Sequence, residues 1–165
     1  MSTVKINTPV PDFIVPATSN KNVQLSLLRG YNVVLYFYPK DHTPGCTIES
    51  QDFGANYDQF RAHNTLVFGA SRDTLASHED FKSKQSLPFE LIADENQSLC
   101  QLFDVIKPKN MYGKVVQGMI RSTFLIDSTG ILIQEWRNVP VKEHVHEVLA
   151  AAKALANRAA PAKAG

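Results

Sequence analysis

The run Val33-Val34-Leu35-Tyr36-Phe37-Tyr38, ended by Pro39 and followed seven residues later by Cys46, constrains this chain more than any other feature. A short, continuous stretch of β-branched and aromatic residues is the pattern of a strand covered on both faces, so it belongs at the centre of a sheet. It is also the longest unbroken apolar run, and its six residues fall far short of the about 20 that a membrane helix needs. The start, Met1-Ser-Thr-Val-Lys-Ile-Asn-Thr-Pro, lacks the basic and apolar regions of a secretory signal. A cytoplasmic protein is expected.

Around that strand the chain reads as alternating elements. Phe13 to Ala17 and Val23 to Leu25 flank the polar turn 18–22 as an N-terminal hairpin. Past Lys40 to His42, small or apolar residues at Cys46, Phe53, Tyr57 and Phe60 predict a helix with Cys46 in its first turn. Leu66 to Ser71 predicts a second buried strand, and Asp73 is the expected cap of the polar helix after it. Phe89 to Ile92 follows as a short strand. Asp94 and Gln97 resemble a capping box opening a short helix through Phe103. Ile120 to Asp127 and Ile131 to Arg137, joined by Ser128-Thr129-Gly130, form the clearest hairpin. Pro140 precedes a last helix with Val141, Val145, Val148, Leu149, Ala152 and Leu155 on one stripe.

This order predicts an α/β fold, a central mixed sheet flanked by helices with an N-terminal β-hairpin extension, and a thioredoxin-like architecture fits it. No repeat or linker divides the chain, so residues 1–158 read as one domain. Nine of the sixteen residues from Ala150 to Gly165 are alanine, and 159–165 read as a frayed tail.

Charge and cysteine content narrow the function. With 17 basic against 16 acidic side chains, the net charge of +1 offers no electrostatic footprint for nucleic acid or an acidic membrane. Two cysteines, Cys46 and Cys100, make no disulfide framework and no paired zinc motif. His144 and His146 diverge by about 200° around a helix and are a poor metal pair. No metal or cofactor is called for, and a chemically used thiol in a reducing compartment is the economical reading.

Thr43-Pro44-Gly45-Cys46 carries the chemistry. Thr43 suits an N-cap and Pro44 the first helical position, which puts Cys46 three residues inside the cap. Backbone N–H groups point outward there, and the partial positive charge of a helix start favours thiolate over thiol. The plain alternative is that Cys46 is a small core hydrophobe. The Pro-Gly pair ahead of it, building an open helix start, argues the other way.

Pro39-x-x-x-Thr43-x-x-Cys46 resembles the active-site signature of the peroxiredoxins. The run Tyr36-Phe37-Tyr38-Pro39-Lys40 to Thr43-Pro44-Gly45-Cys46-Thr47-x-Glu49 is similar to their bacterioferritin comigratory protein, or peroxiredoxin Q, subfamily. Further matches are Pro11-Asp12-Phe13, Met111-Tyr112-Gly113-Lys114, and Arg121 to Asp127 with Gly130. The resemblance implies that Cys46 is a peroxidatic cysteine reducing hydrogen peroxide and organic hydroperoxides by way of a sulfenic acid. It also implies that Arg121 is the cation beside the thiolate, on a strand next to Val33 to Tyr38, while Thr43 binds the peroxide and Pro39 shields the sulfur. Glu49 either orients Arg121 or is an exposed first-turn glutamate. His42 reads as an exposed loop histidine more readily than as an assisting imidazolium.

Many members of the subfamily carry a resolving cysteine five residues after the first. Gln51 stands there in this chain. Cys100, beside Leu99, Leu102 and Phe103, reads as buried and structural rather than as a distant resolver. A one-cysteine mechanism follows, with thioredoxin or glutaredoxin/glutathione as the external thiol, and the subfamily likeness favours a monomer or weak homodimer. The competing readings are a thioredoxin-type thiol oxidoreductase, for which Thr43 replaces the first thiol of a CxxC, and a non-catalytic thioredoxin-like binding module.

Overall fold

The structure is a computed structural model that describes residues 4–164, without the side chains of 111 and 159–164. Its strands are β1 (Ile14–Ala17), β2 (Lys21–Gln24), β3 (Asn32–Phe37), β4 (Thr65–Ser71), β5 (Leu91–Ala93), β6 (Ile106–Met111), β7 (Lys114–Met119), β8 (Ser122–Ile126) and β9 (Leu132–Trp136). The helices are α1 (Pro44–Ala55), α2 (Tyr57–Ala62), α3 (Leu75–Gln85), α4 (Ser98–Phe103) and α5 (His144–Ala164), with a 3-10 turn at Leu25–Leu28. Seven strands form one mixed sheet in the order β2-β1-β5-β4-β3-β8-β9, with β3 parallel to β4 and antiparallel to β8. All six residues of β3 are buried, as the apolar run predicts.

Because side chains alternate along a strand, β3 feeds two separate cores. Val33, Leu35 and Phe37 point to one, closed by Leu99, Cys100 and Phe103 of α4. Val34, Tyr36 and Tyr38 point to the other, closed by Cys46 and Phe53 of α1, Phe60 of α2, Phe81 of α3 and the stripe Val145, Val148, Leu149, Ala152 and Leu155 of α5. Tyr36 fastens α1 to the sheet. Its ring stacks on Phe53 at 4.4 Å and its hydroxyl lies 2.9 Å from Ser50 Oγ. That ring needs a glycine beneath it, since a Cβ on Gly69 would come within 2.7 Å of the phenol.

Several boundaries differ from the sequence expectations for physical reasons. The helix carrying Cys46 stops at Asn56, whose side-chain amide bonds back to Asp52 O, and restarts as α2. Thr74, rather than Asp73, caps α3, accepting the Ser77 N–H at 3.1 Å. The Asp94 and Gln97 pair does not form a capping box. Gln97 is the left-handed cap residue of α4 without a side-chain bond, and Asp94 reaches in from upstream to accept the N–H groups of Leu99 and Cys100 at 3.0 and 2.7 Å. The last helix begins at His144, so Val141 lies in the preceding loop. β6 and β7 form a two-stranded ribbon apart from the main sheet, in a stretch whose sequence carries no apolar alternation.

Candidate active site

The C-terminal end of β3 delivers the chain into a loop at Pro39 and then into α1. Pro39 is half-buried, and Thr43 sits at the N-cap position of α1 in extended conformation with Pro44 behind it. The Thr43 hydroxyl does not cap the helix. It turns back and donates to Lys40 O at 2.8 Å, which leaves its oxygen lone pairs available as acceptors. The first backbone bond of α1 runs from Thr47 N to Thr43 O, so the N–H groups of Gly45 and Cys46 lie in the turn where no intrahelical acceptor exists.

The antiparallel pairing of β3 with β8 brings the cation to the same end. Phe37 pairs with Ser122, so Arg121, the residue before it, lies beyond the end of β3 and level with Tyr38. Arg121 Nη2 is 3.6 Å from Cys46 Sγ, and Nη1 is 2.6 Å from Glu49 Oε1. Gly45 leaves room for this approach, since a Cβ there would sit 3.2 Å from Arg121 Nη2 and oblige the guanidinium to give by a few tenths of an ångström. Cys46 is 1% exposed, so the contact of its sulfur with the guanidinium is little screened by solvent.

Glu49 is fully buried, and its second oxygen, Oε2, has no hydrogen-bond partner among the described residues. The exposed-glutamate alternative is thereby overturned. Burial raises its carboxyl to about 7 even though the Arg121 guanidinium pulls the other way. Burial also works against the charge on Arg121, but Glu49 and the Cys46 sulfur outweigh it and hold the guanidinium protonated more firmly than usual. The arrangement is a thiol and a carboxylate sharing one cation from opposite prongs of its fork.

Other residues singled out from the sequence lie elsewhere. His42 turns toward α3, 3.3 Å from Asp80 and edge-on to Phe81. His144 is buried with Nε2 2.7 Å from Thr123 Oγ1, and burial followed by the charge of Arg121 lowers it to about 4, while His146 is exposed. Cys100 belongs to the core on the opposite face of the sheet from Cys46. Its thiol is pushed well up by burial and by the Asp94 carboxylate.

A buried thiol beside a cation at a helix start, on a thioredoxin-like sheet, is therefore what the fold assembles at the end of β3, and comparison with known proteins gives the class of protein that carries it. The AhpC/TSA family profile matches residues 6–135. Peroxiredoxin Bcp of Xanthomonas campestris is 44% identical over 160 residues, covering 96% of this chain and 100% of that protein. Peroxiredoxin Bcp of Bacillus subtilis is 43% identical over 156 residues, covering 94% of this chain and 99% of the relative. Among solved structures, Xanthomonas campestris peroxiredoxin Q superposes with a TM-score of 0.86 at 42% identity, covering 94% of this chain and 98% of its own. A mutant of PrxQ from Xylella fastidiosa superposes at 0.88 and 39% identity, covering 93% and 98%. The chain belongs to the AhpC/TSA family and, within it, to the peroxiredoxins of the Bcp/Q subfamily. It is a thiol peroxidase, with a peroxide as oxidant and a thiol as the source of electrons.

Two parts of the site were not legible beforehand. That Glu49 is buried follows from α1 lying under Arg121, a pairing across 72 positions that no local spacing encodes. Asp41, in the loop before Thr43, is 3% exposed and bonded to His78 at 2.7 Å, yet its sequence context is that of a solvated loop carboxylate.

Proposed function

We propose that Cys46 is the peroxidatic cysteine and that Arg121, Thr43, Pro39 and Glu49 serve it. The carrying observation is the 3.6 Å approach of the Arg121 guanidinium to a buried sulfur at a helix start. A thiolate is stabilised there by the cation and by first-turn N–H groups. A bound peroxide directs its O–H to the lone pairs of Thr43 while its oxygens accept from Arg121 and from the Cys46 N–H, which polarises the O–O bond. The thiolate attacks the terminal oxygen, the S–O bond forms as the O–O bond breaks, and the departing alkoxide or hydroxide takes up a proton. Glu49 holds Arg121 in orientation, and Pro39 keeps bulk water from the sulfur.

The product sulfenic acid is resolved from outside. Cys100 is on the far face of the sheet, and position 51 is an exposed glutamine bonded to Gln85 of α3. An external thiol therefore attacks the sulfenic sulfur and expels water, and a second thiol reduces the mixed disulfide, releasing Cys46 and an oxidised partner disulfide. Thioredoxin, or glutaredoxin with glutathione, supplies these thiols. Hydrogen peroxide and organic hydroperoxides are the substrates, as the alkyl peroxide reduction named for the Xanthomonas campestris relative supports. Residues 1–158 act as one domain with 159–165 as a tail, working in the cytoplasm as a monomer or weak homodimer. Among the described residues no helix is long and apolar enough to cross a membrane.

Stopped-flow mixing with hydrogen peroxide and an organic hydroperoxide tests the role of Cys46. Consumption is expected to vanish in Cys46→Ser, and wild-type consumption by that variant would refute the assignment. Intact mass after one equivalent of peroxide tests the resolution step. Gain of one oxygen, convertible to a mixed disulfide by added thiol, is expected, whereas a Cys46 to Cys100 disulfide would overturn the one-cysteine reading.

A further inference from the structure

Asp41 lies in the loop that joins β3 to α1, two residues before Thr43 and five before Cys46. Residues 38–43 lie outside every strand and helix, and His42 among them adopts a left-handed φ of 64°. What holds the loop is a buried side-chain cluster. Asp41 Oδ1 accepts from the Tyr38 hydroxyl at 2.7 Å, and Oδ2 accepts from Ser77 Oγ at 2.7 Å and faces His78 Nδ1 at 2.7 Å. The Asp41 N–H donates to Asp73 Oδ2 at 2.9 Å. His78 is fully buried, and its other nitrogen, Nε2, is 2.9 Å from Ile92 O in β5. The ring is thus held between the Asp41 carboxylate on one side and the Ile92 carbonyl on the other.

Asp41, Asp73 and His78 bring potential ligand atoms within 4.8 Å of one another, as a metal site does. The Asp41 oxygens and both His78 nitrogens are already engaged with protein partners, so the cluster is a closed bonding network. Burial opposes the charge on Asp41, but the bonds from His78, Tyr38 and Ser77 outweigh it and keep the carboxyl below its ordinary range. The network ties the end of β3, the loop, the start of α3 and β5 into one unit.

We infer that His78 is a positioning residue for the peroxide reaction, acting through Asp41 to fix the 40–43 loop and with it the Thr43 hydroxyl and the start of α1. The inference rests on the assignment of Cys46 as the attacking thiol. His78 touches neither sulfur nor peroxide. Its effect passes through one carboxylate to the backbone that sets where Thr43 and Cys46 stand, and misplacement of such groups by about 1 Å can cost on the order of a hundredfold in rate.

The test compares His78→Leu, which removes the donor to Asp41, with His78→Asn, whose amide nitrogen stands near the position of Nδ1. Peroxide consumption followed by stopped flow reports the reaction of Cys46, and thermal melts report stability. Both variants lose the Ile92 bond and are expected to melt earlier by similar amounts. His78→Leu is expected to react with peroxide at least about tenfold more slowly than wild type, and His78→Asn to recover to within about threefold. A wild-type rate in His78→Leu, or equal slowing in both variants, overturns the inference. If His78→Leu does not fold, Asp41→Asn, which keeps the imidazole but weakens the carboxylate bond through which it acts, takes its place. Slowing by about fivefold then supports the inference, and an unchanged rate overturns it. A wild type without Cys46-dependent oxidation removes the assignment of Cys46 itself, whereas a reactive wild type with indifferent variants removes only the role of His78.

Discussion

Cys46 and Cys100 are both buried, at 1% and 0% exposure, and both lie in helices packed against the same sheet. Their neighbours differ in sign. Cys46 meets the Arg121 guanidinium at a helix start, and Cys100 sits in a turn whose N–H groups are already taken by the Asp94 carboxylate. A low-dielectric surrounding amplifies whichever charge stands beside the sulfur, a cation at Cys46 and a carboxylate at Cys100, whose thiol burial and Asp94 push up. Burial alone says little about whether a cysteine reacts.

The largest expected effect separates the two sulfurs outright. Cys46→Ser abolishes peroxide reduction, while Cys100→Ser keeps the peroxide rate within about twofold, measured by stopped flow, because a buried thiol beside a carboxylate takes no part. Alkylation draws the same contrast. In the native protein iodoacetamide is expected to label Cys46 alone, with Cys100 labelled only after denaturation, as read by peptide mass. Next in size is Arg121→Met, which removes the cation and preserves much of the side-chain volume. A fall of about a hundredfold in the rate with peroxide is expected, in the range seen when one transition-state donor is deleted. A rate within a few fold of wild type would make the charge beside Cys46 irrelevant and erase the contrast with Cys100.

Glu49 and His144 give smaller effects with opposite pH signs. Glu49 is raised to about 7 in the fold from an ordinary value of 4.5, so the folded state binds its proton more tightly than the unfolded chain. Its contribution to stability is full below pH 4.5 and is lost as pH rises through 7, by on the order of 3 kcal/mol. Glu49→Gln should flatten that alkaline loss in urea unfolding and slow the peroxide reaction by about tenfold as Arg121 loses its orientation. His144 is lowered from 6.5 to about 4, so the unfolded chain binds the proton first and stability falls as pH drops from 6.5 toward 4. His144→Gln should remove that acid limb, also on the order of 3 kcal/mol, while the alkaline limb from Glu49 stays.

What was legible in the sequence followed from patterns that are local. The apolar run of β3, the Pro44-Gly45-Cys46 helix start and the turn at Ser128-Thr129-Gly130 each encode their own conformation within a few residues. Arg121 was reached through an ordered set of motifs rather than through spacing, because its meeting with Cys46 depends on the β3 to β8 register. The ribbon of β6 and β7 was missed because neither strand buries a regular face. Lys107, Pro108, Lys109 and Asn110 offer no alternation to read. His78 was passed over for the opposite reason, since a histidine between Ser77 and Glu79 looks solvated while its ring is fully enclosed.

The sheet that keeps the two sulfurs apart also sets a clock. A chain with both thiols on one side closes its own disulfide at a rate fixed by its geometry. On the proposed one-cysteine reaction, with Cys46 and Cys100 divided by β3 and its neighbours, the oxidised form would last until a partner thiol arrives by diffusion. Its lifetime would then read out the abundance of that partner, and under scarcity the oxidised population would accumulate in proportion to peroxide supply.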